Sequence, residues 1–304
     1  METVIITGGT GLIGTALTQL LLERGYKVII LSRRPEAGSN KAVTYAHWNI
    51  DTQTIDKEAV QQADYIVHLA GANVGEKRWT AARKEEIIDS RTKSSGLIFT
   101  ALQSIPNKVK KVISASATGY YGEFKDHPFT ETDPPYTDFL ATTTHTWEQS
   151  ISKVTTLNKK LVIFRTGIVL SREGGAYHEF SKPFQFGVSG ILGSGKQVVS
   201  WIHIDDMVGL ILHALDAKRI DGVYNAVADT PVSNRKLIET MREVKKRVTL
   251  PVRVPALALR LGLGEMSVEV LKSATVSNRK WLETGFPLRF PAIRPAVEAL
   301  ERRS

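Results

Sequence analysis

A glycine-rich turn near the N-terminus constrains the fold more than any other feature of this sequence. Residues 3–7 (TVIIT) form an apolar run, the turn TGGTGLIG follows, and a second apolar run occupies 27–32 (KVIILS). Between the two runs, apolar residues recur at helical spacing: Ile13, Ala16, Leu17, Leu20 and Leu21. A strand, a glycine turn and an amphipathic helix in this order predict the beginning of a βαβ unit.

The same alternation continues along the chain. Further apolar runs lie at 42–48, 65–70, 110–116, 160–166 and 221–227. Runs without polar alternation are typical of parallel strands that are buried on both faces. Helical patterns occupy the regions near 80–104 and 139–156. The chain is therefore predicted to form an α/β fold with a Rossmann-type, doubly wound parallel sheet.

The regular alternation ends after residue 170. Residues 171–200 are rich in Gly, Ser and Phe, and the segment from 231 onward is broken by prolines. These features predict a smaller C-terminal substrate lobe beside the sheet. We expect the Rossmann domain to comprise 1–170 plus 201–227, and the smaller lobe to comprise 171–200 plus 228–304.

Composition excludes several classes of function. The chain has no cysteine, so disulfides, a thiolate nucleophile and a Cys-ligated metal are excluded, and no metal site is predicted. No signal peptide and no run of the ~18 apolar residues that a membrane helix needs is found, so a cytoplasmic protein without membrane contact is expected. The net charge of +9 comes from scattered basic residues without interleaved aromatics, and no nucleic-acid partner is predicted.

The glycine turn predicts a bound dinucleotide. Gly8 permits the tight turn, Gly11 lets the backbone approach a pyrophosphate, and Gly14 lets the helix pack close to the strand. Free N–H groups at the start of the helix attract the anion. The predicted contacts at this turn are Gly8, Thr10, Gly11, Leu12, Ile13 and Gly14.

The end of the second apolar run indicates which dinucleotide is preferred. NAD-binding sites usually place an acidic residue there to accept hydrogen bonds from the ribose, whereas this chain has Ser32, Arg33 and Arg34. A guanidinium group can hold a 2′-phosphate with two hydrogen bonds. The sequence therefore predicts NADP(H) as the cofactor, with NAD(H) as the alternative and Arg33 as the stronger candidate for the phosphate contact.

Several segments together resemble the extended short-chain dehydrogenase/reductase superfamily. They are TGGTGLIG, HLAGANV (68–74), SASATGYYG (114–122) and SWIHIDDM (200–207). A narrower resemblance is to the uncharacterised, NAD-dependent epimerase/dehydratase-like "epimerase family proteins", which carry a small C-terminal domain of unknown function. It rests on four further segments: KRWT (77–80), IIDSRTKSS (87–95), FRTGIVLSREGGA (164–176) and LETGFPLRFPAI (282–293). The matched stretches contain the remaining predicted cofactor contacts: Leu69, Ala70, Gly71 and Arg91.

The resemblance also exposes a missing catalytic pair. Members of the superfamily normally use Tyr-x-x-x-Lys, in which the tyrosine exchanges the proton. Glu148 fits the glutamate that many extended members have four residues after the lysine, and counting back places Thr144 at the lysine position and Leu140 at the tyrosine position. The predicted replacements are the hydroxyl groups of Ser116, Tyr120 and Tyr121, with Ala117 in place of Ser116 in the other alignment register.

The substrate of this chain is predicted to differ from that of a nucleotide-sugar epimerase. Such epimerases carry an arginine for the substrate diphosphate where this chain has Val199. The candidate substrate contacts are aromatic: Trp79, Phe186 and Trp201. We therefore expect an NADP(H)-binding epimerase-, dehydratase- or reductase-like protein that acts on an unidentified small molecule. The alternative is a non-catalytic NADP(H)-binding regulatory protein. Extended members are often homodimers, so a homodimer is also an expectation.

Overall fold

The computed structural model describes residues 1–35, 42–123 and 126–302. Its strands are β1 (Thr3–Thr7), β2 (Lys27–Ser32), β3 (Thr44–Asn49), β4 (Thr54–Ile55), β5 (Tyr65–His68), β6 (Lys111–Ala117), β7 (Lys160–Thr166), β8 (Ile168–Leu170), β9 (Val188–Leu192), β10 (Val198–Val199), β11 (Trp201–His203), β12 (Gly222–Ala226), β13 (Val232–Ser233) and β14 (Leu250–Val254). Its helices are α1 (Leu12–Glu23), α2 (Lys57–Gln62), α3 (Ala81–Ser104), α4 (Phe139–Ser152), α5 (Gly175–Ser181), α6 (Ile204–Asp216), α7 (Asn234–Lys245), α8 (Ala256–Leu263), α9 (Ser267–Leu271), α10 (Arg279–Leu282) and α11 (Ile293–Arg302).

Within these residues, the main sheet has eight strands in the order β12-β7-β6-β5-β1-β2-β3-β4. Neighbouring strands are parallel except at the edge, where β4 pairs antiparallel with β3. The chain leaves β1 on one side toward β2 and β3, and returns to β5 on the other side. The predicted Rossmann-type doubly wound sheet is confirmed. Ligands of such sheets bind where the strand order reverses, at the carboxyl ends of the strands, which here is between β1 and β5.

Both faces of the sheet are buried, which explains the uninterrupted apolar runs. Val4 and Ile6 point into the core on the side of α1 and α6, whereas Ile5 points into the opposite core beneath α3. Successive side chains of a strand point to opposite faces, so a strand covered on both sides needs apolar residues at every position. Helices on both faces complete a three-layer structure.

A third core holds the smaller lobe together. It is formed by the side chains of α5, α7 and α11 with the loop strands between them, and includes Tyr177, Phe184, Leu237, Met241 and Leu300. The two lobe strands β9 and β14 pair in parallel.

The segment around Trp281 was predicted to belong to the smaller lobe, but it packs against the main sheet. Trp281 is 1% exposed and belongs to the sheet core, with ring centroids 5.2 Å from Phe164 and 5.3 Å from Tyr224. Phe286 and Leu288 pack against the same core. This part of the predicted lobe 228–304 therefore completes the Rossmann core, because its bulky side chains cover β7 and β12.

Side chains cap the first turns of α3 and α4. These helices follow β5 and β6, so they begin at the carboxyl ends of the strands, where the ligand crevice of the sheet lies. The hydroxyl of Thr80 accepts a hydrogen bond from Arg83 N at the start of α3, and the carboxylate of Asp138 accepts one from Ala141 N at the start of α4. Such caps satisfy backbone N–H groups that have no partner within the helix. In the described part of the chain, no helix combines the length and the apolar character that crossing a bilayer requires.

Candidate functional site

The glycine turn after β1 leaves little room for side chains. Gly8 has φ of +69°, a backbone conformation that residues with side chains rarely adopt. Gly11 N donates a hydrogen bond of 3.0 Å to Gly8 O. A Cβ on Gly14 would stand 2.3 Å from Gly8 O and 2.6 Å from Gly9 Cα. Glycine at position 14 therefore lets α1 begin directly against the turn.

The start of α1 leaves its backbone donors available. Gly11 is the N-cap and supplies no side-chain hydrogen bond, and the first turn of α1 contains no acidic residue. Thr10 and Gly11 are exposed, while Leu12 and Ile13 are partly buried against the sheet core. A helix start without a side-chain cap presents N–H groups and the positive end of the helix dipole to an anion. This cradle, which a larger residue at Gly14 would fill, fits the pyrophosphate of a dinucleotide.

The ends of β1 and β5 are joined by a buried hydrogen-bond network. Thr7 Oγ1 accepts hydrogen bonds of 3.2 Å from both Leu69 N and Ala70 N, and lies 2.7 Å from His68 Nδ1. The other ring nitrogen of His68 lies 3.2 Å from the hydroxyl of Ser94. Complete burial, aided by the charge of Arg91, lowers the pKa of His68 to about 3. The imidazole is therefore neutral at physiological pH and fixes the loop that follows β5.

Arg91 lies directly against that loop. A Cβ on Gly71 would stand 3.1 Å from the guanidinium carbon of Arg91. Arg91 Nη1 donates hydrogen bonds to Ala72 O and Ile87 O, at 3.1 and 2.9 Å, and its guanidinium lies 5.0 Å from the ring centroid of Trp147. Burial, followed by the charge of Arg83, lowers the pKa of Arg91 to about 10, so the group stays charged at neutral pH.

The predicted 2′-phosphate contacts follow β2, the neighbour of β1. Arg33 and Arg34 are exposed, and the hydroxyl of Ser32 accepts a hydrogen bond of 3.1 Å from Arg34 N. The structure thus places the predicted cofactor residues at the carboxyl ends of the adjacent strands β5, β1 and β2, with Arg91 of α3 packed against the loop that follows β5. One continuous edge of the sheet carries them.

The residues of α4 at the positions of the usual catalytic pair cannot exchange protons with a substrate. Leu140 has no titratable group, and its Cβ lies 3.5 Å from the place of a Cβ on Gly119, just after β6. Thr144 is 4% exposed, and its hydroxyl donates a hydrogen bond of 2.6 Å to Leu140 O.

A buried ion pair links α4 to β7. Arg165 Nε and Nη2 each donate a hydrogen bond of 2.8 Å to the Glu148 carboxylate, whose Oε1 also accepts one of 2.6 Å from Ser116 Oγ. The side chains of Arg165 and Glu148 are 4% and 9% exposed. Hydrogen bonds and attraction from Glu148 outweigh the effect of burial and raise the pKa of Arg165 above its usual value. Two charges are therefore held in the interior by a two-pronged contact.

The predicted catalytic hydroxyl groups take part in this network. Tyr121 is fully buried, its hydroxyl donates to Asn225 Oδ1 at 2.7 Å and accepts from Arg165 Nη1 at 3.0 Å, and burial raises its pKa to about 12. The ring of Tyr120 lies 3.4 Å beneath the Arg165 guanidinium, and burial raises the pKa of Tyr120 as well. The hydroxyls of Ser116 and Tyr121 are thus engaged inside the protein, and the catalytic role of Ser116, Tyr120 and Tyr121 stays a prediction.

The three predicted substrate residues occupy three different environments. Trp79 stacks edge-on against Phe139 with ring centroids 4.9 Å apart, at the starts of α3 and α4. Phe186 is 82% exposed on the rim of a lobe cavity of about 810 Å³. Trp201 is fully buried in the lobe core, and its indole N–H donates to Thr230 O. Trp201 therefore has no surface for a substrate in this structure, because its side chain fills the core.

The structure also brings together a charged group that the sequence analysis did not identify. Glu269 and Lys272 form a local ion pair, and Asp138 joins them near Gly119 although it lies more than a hundred residues earlier in the chain. No local spacing or motif links Asp138 to the other two residues. Contact between the smaller lobe and the start of α4 is what creates the group.

The family assignment rests on the whole chain. A family model for the NAD dependent epimerase/dehydratase family matches residues 4–228, and a model for a domain of unknown function, DUF1731, matches residues 254–300. An epimerase family protein of Staphylococcus saprophyticus is 34% identical over 302 residues, with 99% of each chain covered.

Solved structures show the same relationship. Human epimerase family protein SDR39U1, whose crystal structure was determined with NADPH, is 29% identical, has a TM-score of 0.87 and is aligned over 100% of both chains. A UDP-glucose 4-epimerase of Thermotoga maritima has a TM-score of 0.79 over 99% of both chains, and at 21% identity it shows the shared fold alone. The resemblance stated from the motifs is thereby confirmed, and the chain belongs to the NAD dependent epimerase/dehydratase family.

Proposed function

We propose that this protein binds NADP(H) along the edge formed by β1, β2 and β5, and catalyses a redox step on a small carbonyl or alcohol compound. The geometry of the glycine turn carries the proposal: α1 begins directly against the turn, where a Cβ on residue 14 would stand only 2.3 Å from Gly8 O, and the helix start has no side-chain cap. The NADPH in the crystal structure of the human relative supports the same cofactor.

The preference for NADP(H) over NAD(H) rests on the residues that follow β2. Arg33 and Arg34 are exposed there, and neither makes an ion pair among the described residues. A carboxylate at this place would repel a 2′-phosphate, whereas a guanidinium attracts it. NAD(H) remains the alternative cofactor.

The cofactor would supply the hydride chemistry, and the protein would position the cofactor. When bound, the nicotinamide supplies or accepts the hydride. The chain orients it: the turn at Gly8 holds the pyrophosphate, and the fixed loop from Leu69 to Gly71 lines the crevice beside it. Arg91 stabilises this loop through Ala72 O and adds a positive charge beside it.

Replacing Arg33 with alanine should weaken NADPH binding by roughly ten- to a hundredfold, because one charged hydrogen bond is worth about 1.5–3 kcal/mol. NADH binding should change by less than about threefold, since NADH has no 2′-phosphate to lose a contact with. Fluorescence titration of the purified variant with each cofactor measures both values.

The matched control for this experiment is Arg24→Ala. Arg24 is also exposed, but it lies at the opposite end of α1 from the glycine turn. Its removal should leave both affinities unchanged. Equal losses of NADPH and NADH affinity in Arg33→Ala would contradict the 2′-phosphate contact. They would favour NAD(H) as the cofactor.

A non-catalytic, NADP(H)-binding regulatory role is the second candidate function. It is favoured by the engagement of the hydroxyl groups of Ser116, Tyr121 and Thr144 within the protein. Turnover separates the two functions: the purified protein is mixed with NADPH and a panel of aldehydes, ketones and sugars, and NADPH absorbance is followed. Tight NADPH binding without oxidation by any member of the panel would favour the regulatory role. The cytoplasmic location and the homodimer stay predictions.

A further inference from the structure

The smaller lobe reaches the crevice beside the position of the missing tyrosine. The segment that contains α8 and α9 lies over the starts of α3 and α4. Lys84 Nζ in α3 donates a hydrogen bond of 2.6 Å to Glu265, and a Cβ on Gly264 would stand 3.0 Å from Arg78 Nε. The lobe is therefore fixed by an ion pair and a close contact where α9 approaches the carboxyl end of β6.

Lys272, just after α9, binds the side chains of Asp138 and Glu269 at this contact. Its Nζ lies 2.6 Å from Asp138 Oδ2, 3.0 Å from Glu269 Oε1 and 3.3 Å from Tyr121 O. The ammonium group donates hydrogen bonds to Tyr121 O and Glu269 Oε1, and its contact with Asp138 is an ion pair. The side chain of Lys272 is 6% exposed, and the two carboxylates raise its pKa despite burial. Lys272 thus stays charged and holds Glu269 through one oxygen.

The second oxygen of Glu269 lies near Gly119, which follows the carboxyl end of β6. Oε2 lies 4.0 Å from the place of a Cβ on Gly119, and Leu140 Cβ lies 3.5 Å from the same place. Leu140 is the residue at the tyrosine position of the superfamily pattern. The carboxyl oxygen and the residue at the tyrosine position therefore border the same point at the end of β6. The side chain of Glu269 is 19% exposed, so part of it stays open to solvent.

The surroundings of Glu269 raise its pKa. Burial raises the pKa of Glu269 above its ordinary value, the charge of Lys272 opposes this effect, and the charge of Asp138 adds to it. A shift in this direction makes a carboxyl group better suited to act as a general acid.

We propose that Glu269 is the catalytic acid–base residue of this protein, supplied by the smaller lobe in place of the absent tyrosine. This inference rests on the proposed NADP(H)-dependent redox function. In the reduction direction, the C=O double bond of the substrate becomes a C–O single bond as its carbon takes the hydride and its oxygen takes the proton from Oε2. The Glu269 carboxylate that remains is reprotonated by water. In the oxidation direction, Glu269 accepts the proton from the alcohol.

The test compares Glu269→Gln with wild type and with Glu283→Gln. The glutamine keeps the size of the side chain but cannot exchange the proton. Glu283 lies in the predicted lobe segment 228–304, but its partner is Arg279 and its side chain is 63% exposed. With a carbonyl compound that the wild type reduces, Glu269→Gln should lower kcat by roughly 10²–10⁴-fold. Its affinity for NADPH should stay within about threefold of wild type, and Glu283→Gln should retain wild-type kcat.

A second measurement does not depend on turnover. In protein labelled with ¹³C at the glutamate carboxyl carbons, the signal that disappears in Glu269→Gln belongs to Glu269. We expect this signal to shift when NADPH is added, whereas the signal of the exposed Glu283 should not move. An unchanged Glu269 signal would overturn the assignment of the residue to the crevice.

The outcomes separate this inference from the proposed function. Wild-type turnover with a Glu269→Gln variant that keeps its kcat would overturn the role of Glu269 and leave the redox function standing. No turnover by the wild type with any compound of the panel would overturn the redox function and, with it, catalysis by Glu269.

Discussion

Replacing Arg165 with methionine should lower the free energy of unfolding by about 3–5 kcal/mol, because the variant leaves the Glu148 carboxylate buried without its partner. The pair is almost fully enclosed, and Arg165 also donates to Tyr121 and to Glu131 O. The corresponding decrease in the midpoint of thermal unfolding is on the order of 10 °C for a chain of this size. Urea denaturation followed by circular dichroism measures the free energy.

Two further variants test the cause of this loss. The double variant Glu148→Met/Arg165→Met removes both charges and should recover much of the stability, since a buried ion pair is often replaceable by apolar residues. The control Lys93→Ala breaks the exposed ion pair with Asp89 and should cost at most about 0.5 kcal/mol. An Arg165→Met variant as stable as Lys93→Ala would contradict the structural role of the buried pair.

Replacing Gly14 with alanine should weaken binding of NADPH and NADH alike by on the order of a hundredfold, the equivalent of losing one or two charged hydrogen bonds. The added Cβ would overlap Gly8 O and Gly9 Cα, which are backbone atoms and cannot turn aside. The start of α1 must therefore move away from the turn, and its N–H groups lose their alignment with the pyrophosphate. Isothermal titration calorimetry measures both affinities.

Gly96→Ala is the matched control for this variant. Gly96 lies within α3, and a Cβ there would meet nothing within 4 Å. Alanine should therefore stabilise the protein by about 0.5–1 kcal/mol through its better helix propensity, with no effect on the cofactor. Wild-type affinities in Gly14→Ala would show that α1 does not hold the pyrophosphate.

The sequence predicted the sheet well because buried parallel strands leave a strong local pattern. The run at 3–7 coincides with β1, the run at 27–32 with β2, and the run at 160–166 with β7. The two residues of β4 were not predicted, since so short an edge strand carries no pattern of its own. The helix α2 was also missed, although Asp56 accepts a hydrogen bond from Ala59 N and so signals a helix start.

The chemistry of the candidate site was less predictable because it depends on contacts between distant segments. An aromatic residue such as Trp201 has the same appearance in a sequence whether it fills a core or lines a crevice. Likewise, the hydroxyl of Tyr121 could not be known to bond to Asn225 before the strands that carry these residues were brought together. Glu269 follows from tertiary packing alone, whereas the glycine turn is complete within a few consecutive residues.

The position of Trp281 has a consequence for the order in which the protein can fold on the ribosome. The strands that surround this side chain, including those of Phe164 and Tyr224, are synthesised well before it. Domains usually fold as units while the chain emerges from its N-terminus. Here the nascent sheet retains an uncovered apolar surface until Trp281 has left the exit tunnel, and during that interval it is a natural client for chaperones.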